Sequence, residues 1–230
     1  MHTAIVILAA GKGTRMKSEM PKVLHEVAGA PLLMHCMKTA QKIEPEHLII
    51  VAGHGSEDVT KTAGTYAPDS QIVTQSAQLG TAHAVAQSRE ILSGFEGDLI
   101  ILYGDTPFIR SETLGKLAQA RQKSDLVVLG FQANDPGRYG RLVTSGTDLL
   151  EIVEYKEANA AQKDITLCNS GVLAGPAQLI FQLIEQVETS NNAGELYLTD
   201  CIALARAAGK SAGVVTCPEA ETLGVNSRRD

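Results

Sequence analysis

Residues 3–22 run Thr3-Ala-Ile-Val-Ile-Leu-Ala-Ala-Gly-Lys-Gly-Thr-Arg-Met-Lys-Ser-Glu-Met-Pro-Lys22. The stretch from Ala4 to Ala10 is apolar without alternation, the pattern of a strand buried on both faces of a parallel sheet. It ends at Gly11, and Gly11 and Gly13 bracket Lys12. Glycine permits positive φ and lets backbone N–H groups approach a ligand with no Cβ in the way. Successive N–H groups in such a turn make an anion-binding concavity. Lys12, Arg15 and Lys22 add three cations, so the stretch suits gripping a polyphosphate rather than attacking it. Taken alone, a Gly-x-Gly turn is more often a surface turn with solvated charges. The common phosphate fingerprints are also absent: Met16 stands where Gly-x-Gly-x-x-Gly needs its last glycine, and no Gly-Lys-Ser/Thr follows.

Outward from this stretch, apolar runs and helical spacings alternate. Pro31–Lys42 has a helical period, Leu48–Ala52 a second strand, and Ser56 is a plausible cap for a short helix. Ile72-Val73 marks a third strand, Thr81–Leu92 a helix, and Leu99–Tyr103 a fourth strand. This alternation predicts an α/β chain with a mostly parallel, doubly wound sheet and right-handed crossovers. From residue 125 the pattern shortens. Leu126–Phe131 is a strand, Asn134–Gly137 a turn, and Tyr139–Val143 with Leu150–Tyr155 a small antiparallel lobe. Thr166–Leu173 is a further strand, Pro176–Val187 and Leu198–Ala208 are helices, and Gly213–Thr216 is the last strand. A single domain over 1–230 is expected, with a nucleotide-binding half to about residue 110 and an acceptor-binding half after it. In open α/β sheets ligands bind outside the carboxyl ends of the strands, where these polar motifs fall.

At 44% hydrophobic, the chain has enough apolar material for a well-buried core. A formal charge of −6 argues against a nucleic-acid partner, which usually needs a basic face. It also means that an anionic substrate must be met by locally gathered cations, and residues 12–22 are where they gather. Cys36, Cys168, Cys201 and Cys217 are far apart and suggest neither zinc nor a disulfide framework. The early apolar run is too short for a signal peptide or a membrane span. A cytoplasmic protein with no membrane partner is the expectation.

Three segments carry chemistry. Asp105 follows an apolar strand directly, so its carboxylate should emerge at the carboxyl edge of the sheet. Alone it reads as a turn residue before Pro107; beside a polyphosphate loop it suits Mg²⁺, which takes one or two carboxylates plus phosphate oxygens and water. Gln75 and Gln78 precede Gly80-Thr81 at a helix start, and carboxamides carry the paired donors and acceptors that reading a nucleobase edge requires. Glu154 and Asn169 offer a carboxylate and an amide suited to sugar hydroxyls or an N-acetyl group. No Ser-His or Cys-His pair suggests a covalent intermediate.

The string Leu8-Ala9-Ala10-Gly11-Lys12-Gly13-Thr14-Arg15-Met16, followed by Pro21-Lys22, resembles the signature of the sugar-phosphate nucleotidylyltransferases. Gln75-x-x-Gln78-Leu-Gly80-Thr81-Ala-His-Ala resembles the uridine-reading segment of the N-acetylglucosamine-1-phosphate uridylyltransferases, the amino-terminal part of a bifunctional enzyme. The matches keep their order over the whole chain, with Ser170 standing where the family usually has Thr. The resemblance implies a Rossmann-like nucleotidyltransferase fold and direct attack of N-acetylglucosamine 1-phosphate on the α-phosphorus of UTP, giving UDP-N-acetylglucosamine and pyrophosphate. It implies substrate contacts from Leu8, Ala9, Ala10, Gly11, Lys22, Gln75, Gln78, Gly80, Thr81, Tyr103 and Gly104 on the nucleotide side. Gly140, Glu154 and Asn169 would follow on the sugar side. Arg15 and Lys22 would be catalytic cations, and Asp105 and Asn226 would both contact substrate and hold Mg²⁺. The implied setting is precursor supply for peptidoglycan and lipopolysaccharide.

The bifunctional relatives continue into an acetyltransferase β-helix of hexapeptide repeats, through which they trimerise; no such repeat occurs in these 230 residues, so a trimer is expected only with that part present. The rival readings are a nucleotidylyltransferase for another base or sugar and a non-catalytic sugar-nucleotide sensor. A nicotinamide-dependent oxidoreductase lacks its fingerprint.

Overall fold

Every residue from Thr3 to Ala10 is buried, and the two faces of this strand go to two different cores. Ala4, Val6 and Leu8 pack on one side and Ile5, Ile7 and Ala9 on the other, as the two-residue strand period requires. The structure is a computed structural model and describes residues 2–189, 191, 194–225 and 227.

In chain order the elements are β1 (Thr3–Ala9), the small hairpin β2 (Glu26–Val27) and β3 (Ala30–Pro31), α1 (Leu32–Gln41), β4 (His47–Ala52), α2 (Ser56–Tyr66) and β5 (Gln71–Thr74). Then come α3 (Thr81–Ala86), β6 (Asp98–Tyr103), α4 (Ser111–Ala120) and β7 (Leu126–Gln132). The second half adds β8 (Arg141–Ser145), β9 (Asp148–Val153), α5 (Ala160–Lys163), β10 (Leu167–Pro176), α6 (Ala177–Ile184), α7 (Asp200–Ala207) and β11 (Ala212–Cys217). Among the described residues, nine strands form one sheet in the order β5-β4-β1-β6-β10-β7-β11-β9-β8.

The pairs β5–β4, β4–β1, β1–β6 and β7–β11 are parallel, while β10 runs antiparallel to both β6 and β7. β8 and β9 form the antiparallel lobe. Helices α3, α6 and α7 cover the face carrying Ala4, Val6 and Leu8; α1, α2 and α4 cover the other. The sheet is therefore doubly wound, as expected. The chain leaves β1 toward β4 and β5, then returns to β6 on the opposite side of β1. That reversal opens a crevice at the carboxyl ends of β1 and β6. No helix among the described residues is long and apolar enough to cross a membrane.

Several local expectations are corrected. The helix starting at Thr81 ends at Ala86 rather than Leu92. Beyond it the N–H groups of Gln87, Ser88 and Arg89 donate three residues back, to the carbonyls of Ala84, Val85 and Ala86, so the chain tightens into turns. The Gln87 side chain and the Ser88 hydroxyl add bonds to the His83 and Val85 carbonyls. The cap of α2 is Gly55 at φ 66, and Ser56 makes no capping hydrogen bond. Helix α4 was not foreseen, although Leu114 and Leu117 are its buried stripe. Of the two loop glycines, Gly13 alone takes positive φ.

Candidate active site

One cleft of about 360 Å³ lies at the crevice. Leu8 from β1, Ala10 just after it, Gly11 and Arg15 from the loop, and Lys22 line one part of it. Gln75, Gln78, Gly80, Thr81, Tyr103 and Asp105 line the rest. Ala9 and Gly104 are not among these lining residues. Ala9 points into the opposite core, and Gly104 is held under the cleft by its N–H donating to the Leu8 carbonyl at 2.9 Å.

The loop is shaped by contact as well as by charge. Gly13 sits at φ 58, and a Cβ there would stand 2.5 Å from that of Lys22. This close approach brings Lys22, nine residues later, back across the loop, where Nζ donates to Oδ2 of Asp105. The pair is largely buried, with side-chain exposures of 12% and 23%. Of the three loop cations, Lys22 thus pairs with Asp105 and Arg15 lines the same cleft, while Lys12 lines a neighbouring recess with His54 and Gln78.

The base-side segment is stitched to a distant one. The N–H of Leu196 donates to the Leu79 carbonyl at 2.7 Å, that of Ala82 to the Leu196 carbonyl at 2.9 Å, and that of Leu198 to the Thr81 hydroxyl at 2.9 Å. Gly80, at φ 117, lies so close that a Cβ would meet the Leu196 carbonyl oxygen at 2.5 Å. Gln78 donates to the Ala10 carbonyl at 2.7 Å, tying this segment to β1.

The second-half residues gather on the far side of Tyr103. A Cβ on Gly140 would lie 3.6 Å from both Asn169 Cβ and Glu154 Oε1, so these three residues converge. Asn169 donates its backbone N–H to the Gly140 carbonyl at 2.9 Å. Tyr103 lines both the cleft and the pocket that contains Asn169. Burial, then the charges of Glu154 and Asp105, push its phenol well above the usual range. Burial likewise raises the Glu154 carboxyl, with Asp200 adding to the rise and the Thr199 hydroxyl, donating at 3.3 Å, easing it. Sequence reasoning missed Glu195, Tyr197 and Thr199 on the segment before α7. Glu195 lines the cleft and Tyr197 shares a recess with Glu154. The cluster of polar and aromatic side chains just before a helix was the available signal.

Among the described residues no three His, Cys, Asp or Glu side chains group as a metal site. Asn226 lies outside the described residues.

A model of the MobA-like NTP transferase domain matches residues 5–170. The chain is 54% identical to the bifunctional protein GlmU of Ruegeria pomeroyi over 230 residues, covering 100% of this chain and 51% of that protein. It is 54% identical to that of Cereibacter sphaeroides over 225 residues, 98% of this chain and 50% of that protein. The resemblance read from the motifs is borne out, and the chain spans about half the length of the curated relatives it matches. In fold it is similar to the inositol-1-phosphate CTP transferase of T. maritima, with a TM-score of 0.78 at 19% identity over 100% of this chain and 91% of that one. A UDP-glucose pyrophosphorylase complexed with UDP-glucose gives 0.71 at 19% identity over 93% and 90%.

Proposed function

The chain belongs to the MobA-like NTP transferase domain family, and from that premise we propose that it transfers a uridylyl group from UTP to N-acetyl-α-D-glucosamine 1-phosphate. The products are UDP-N-acetylglucosamine and pyrophosphate. The observation that carries this reading is the meeting, across Tyr103, of a cation-lined cleft and the Gly140–Glu154–Asn169 group. The first holds a triphosphate, the second a hexose with an amide substituent, and their junction is where a sugar 1-phosphate would reach an α-phosphate. Similarity to GlmU supports the choice of uridine and N-acetylglucosamine.

A phosphate monoester oxygen is already anionic and needs no general base. It attacks the α-phosphorus; the new O–P bond forms as the bond to the β-phosphate oxygen breaks, and pyrophosphate leaves. The difficulty is repulsion between two polyanions, so the chain's own contribution is positioning and charge neutralisation. Lys22 and Arg15 hold the departing pyrophosphate. Backbone N–H groups around Gly11 cradle the phosphates, Gln75 reads the base, and Glu154 and Asn169 orient the sugar. Asp105 fits Mg²⁺, which takes one or two protein carboxylates and leaves its other positions to phosphate oxygens and water. Bound there, with Asn226 as its further ligand, Mg²⁺ would supply charge neutralisation. A cytoplasmic setting and a role in cell-wall precursor supply follow from the same reading.

The test is pyrophosphate release from UTP, CTP, GTP and dTTP, each with N-acetylglucosamine 1-phosphate and with glucose 1-phosphate. Fast release only for UTP with the N-acetyl sugar is expected. Release with another pair overturns the specificity, and no release from a protein that still binds UTP overturns the activity.

A further inference from the structure

We propose that His83 is a positioning residue for nucleobase choice: its Nδ1 locks the Gln75 carboxamide with Oε1 toward the cleft, selecting a pyrimidine protonated at N3. The inference rests on the reading above that Gln75 meets the base.

Gln75 directly follows β5, and its backbone N–H is fixed to the Ala52 carbonyl at 2.7 Å. The residue is only 4% exposed, yet it lines the cleft. Its Nε2 lies 3.0 Å from the Gly80 carbonyl oxygen and 3.0 Å from His83 Nδ1. A carboxamide nitrogen has two hydrogens, and these two acceptors take both. Among the described residues, Oε1 has no recorded hydrogen-bond partner, so it is the group left for a ligand.

The orientation has a physical cause. A carbonyl oxygen can only accept, so turning the amide over would set Oε1 against the Gly80 oxygen. The nitrogen must therefore face Gly80, and its second hydrogen requires an acceptor at Nδ1. That assigns the His83 hydrogen to Nε2. Gln87 donates from Nε2 to the His83 carbonyl at 2.9 Å, so its 3.3 Å approach to the ring Nε2, longer than the 3.0 Å contact at Nδ1, is not a hydrogen bond in this tautomer. Gly80 and His83 together make a double lock, one half backbone and one half side chain.

A fixed acceptor at this point discriminates between pyrimidines. Uracil and thymine carry a hydrogen on N3 and can donate to Oε1. Cytosine has a lone pair on N3 and would face acceptor against acceptor. Removing the His83 acceptor leaves one buried amide hydrogen unpaired and releases the side chain to swing.

The experiment measures dissociation constants for UTP and CTP with the parent protein, His83→Leu, His83→Asn and Gln75→Ala, with thermal melts to confirm folding. Asn places Oδ1 near the position of Nδ1 and keeps the acceptor. The expected result is a UTP-over-CTP preference reduced on the order of tenfold in His83→Leu and retained in His83→Asn. A preference unchanged in His83→Leu, or lost equally in both His83 variants, overturns the lock. A preference unchanged in Gln75→Ala instead overturns base reading by Gln75, and the lock with it. Loss in Gln75→Ala with an unchanged His83→Leu leaves base reading intact and overturns the role of His83 alone.

Discussion

Lys22 Nζ donates to Asp105 Oδ2 across 83 residues of sequence, joining the loop after β1 to the turn after β6. The pair makes each residue the counter-ion of the other in the absence of phosphates, which keeps a cation poised in an acidic chain without leaving it bare. On the proposed mechanism Lys22 then neutralises the leaving pyrophosphate. Lys22→Ala should lower kcat/KM by about 100-fold or more, the scale of losing one preorganised charge-stabilising donor. Steady-state pyrophosphate release measures it, and turnover within a few-fold of the parent would sink the role.

Gly80 stands at φ 117 and ψ 179, a region nearly closed to other residues, with the Leu196 backbone where a Cβ would go. Gly80→Ala should therefore destabilise the fold by about 2 kcal/mol or more and raise the KM for UTP. Urea denaturation reads the first effect and initial rates the second. An alanine variant as stable as the parent would mean that the 79–82 and 196–198 segments do not pack as described.

Burial raises the Glu154 carboxyl, and Asp200 adds to the rise. As a sugar-hydroxyl acceptor it works best ionised, so sugar binding should fall on the acid side at a pH above the ordinary glutamate range. Stability has the opposite sign. A folded pKa above the unfolded one contributes stability below the unfolded pKa, and this is lost as pH rises through the folded value. Glu154→Gln should thus raise Tm at neutral pH, show little gain in acid, and raise the KM for the sugar phosphate. Melts at pH 4 and pH 8 compare the two; an equal gain at both would contradict the assignment.

Arg141 is 2% exposed and meets no carboxylate among the described residues. Its guanidinium donates instead to the carbonyls of Pro136, Gly137, Tyr139 and Lys163, and it lies 5.7 Å from the Tyr155 ring centre. It fixes the loop that ends in Gly140. Lysine cannot reproduce this fork. Arg141→Lys should cost about 2 kcal/mol of stability and raise the KM for the sugar phosphate more than that for UTP. An equal change in both would remove the loop-specific role.

Much of the nucleotide side was legible because its signals are local. The apolar run of β1 is continuous since both faces are buried, Gly13 is needed for a left-handed turn, and Asp105 emerges where β6 ends. The stitching of Leu79 and Ala82 to Leu196 was not legible, because backbone groups make it and any residues could stand there. Nothing in the sequence sets Arg141 apart from the other cations; its burial depends on carbonyls that only the folded loop brings together. The reversed direction of β10 also left no mark, since an apolar strand buried between two neighbours has the same composition either way.

The most direct test of uridylyl transfer by in-line attack within this cleft is the stereochemical course at the α-phosphorus. UTP carrying a chiral α-phosphorothioate would be incubated with N-acetylglucosamine 1-phosphate, and the configuration of the sugar-nucleotide product determined by phosphorus NMR. A single direct displacement predicts inversion. Retention would require two displacements through a covalent intermediate and would contradict the account.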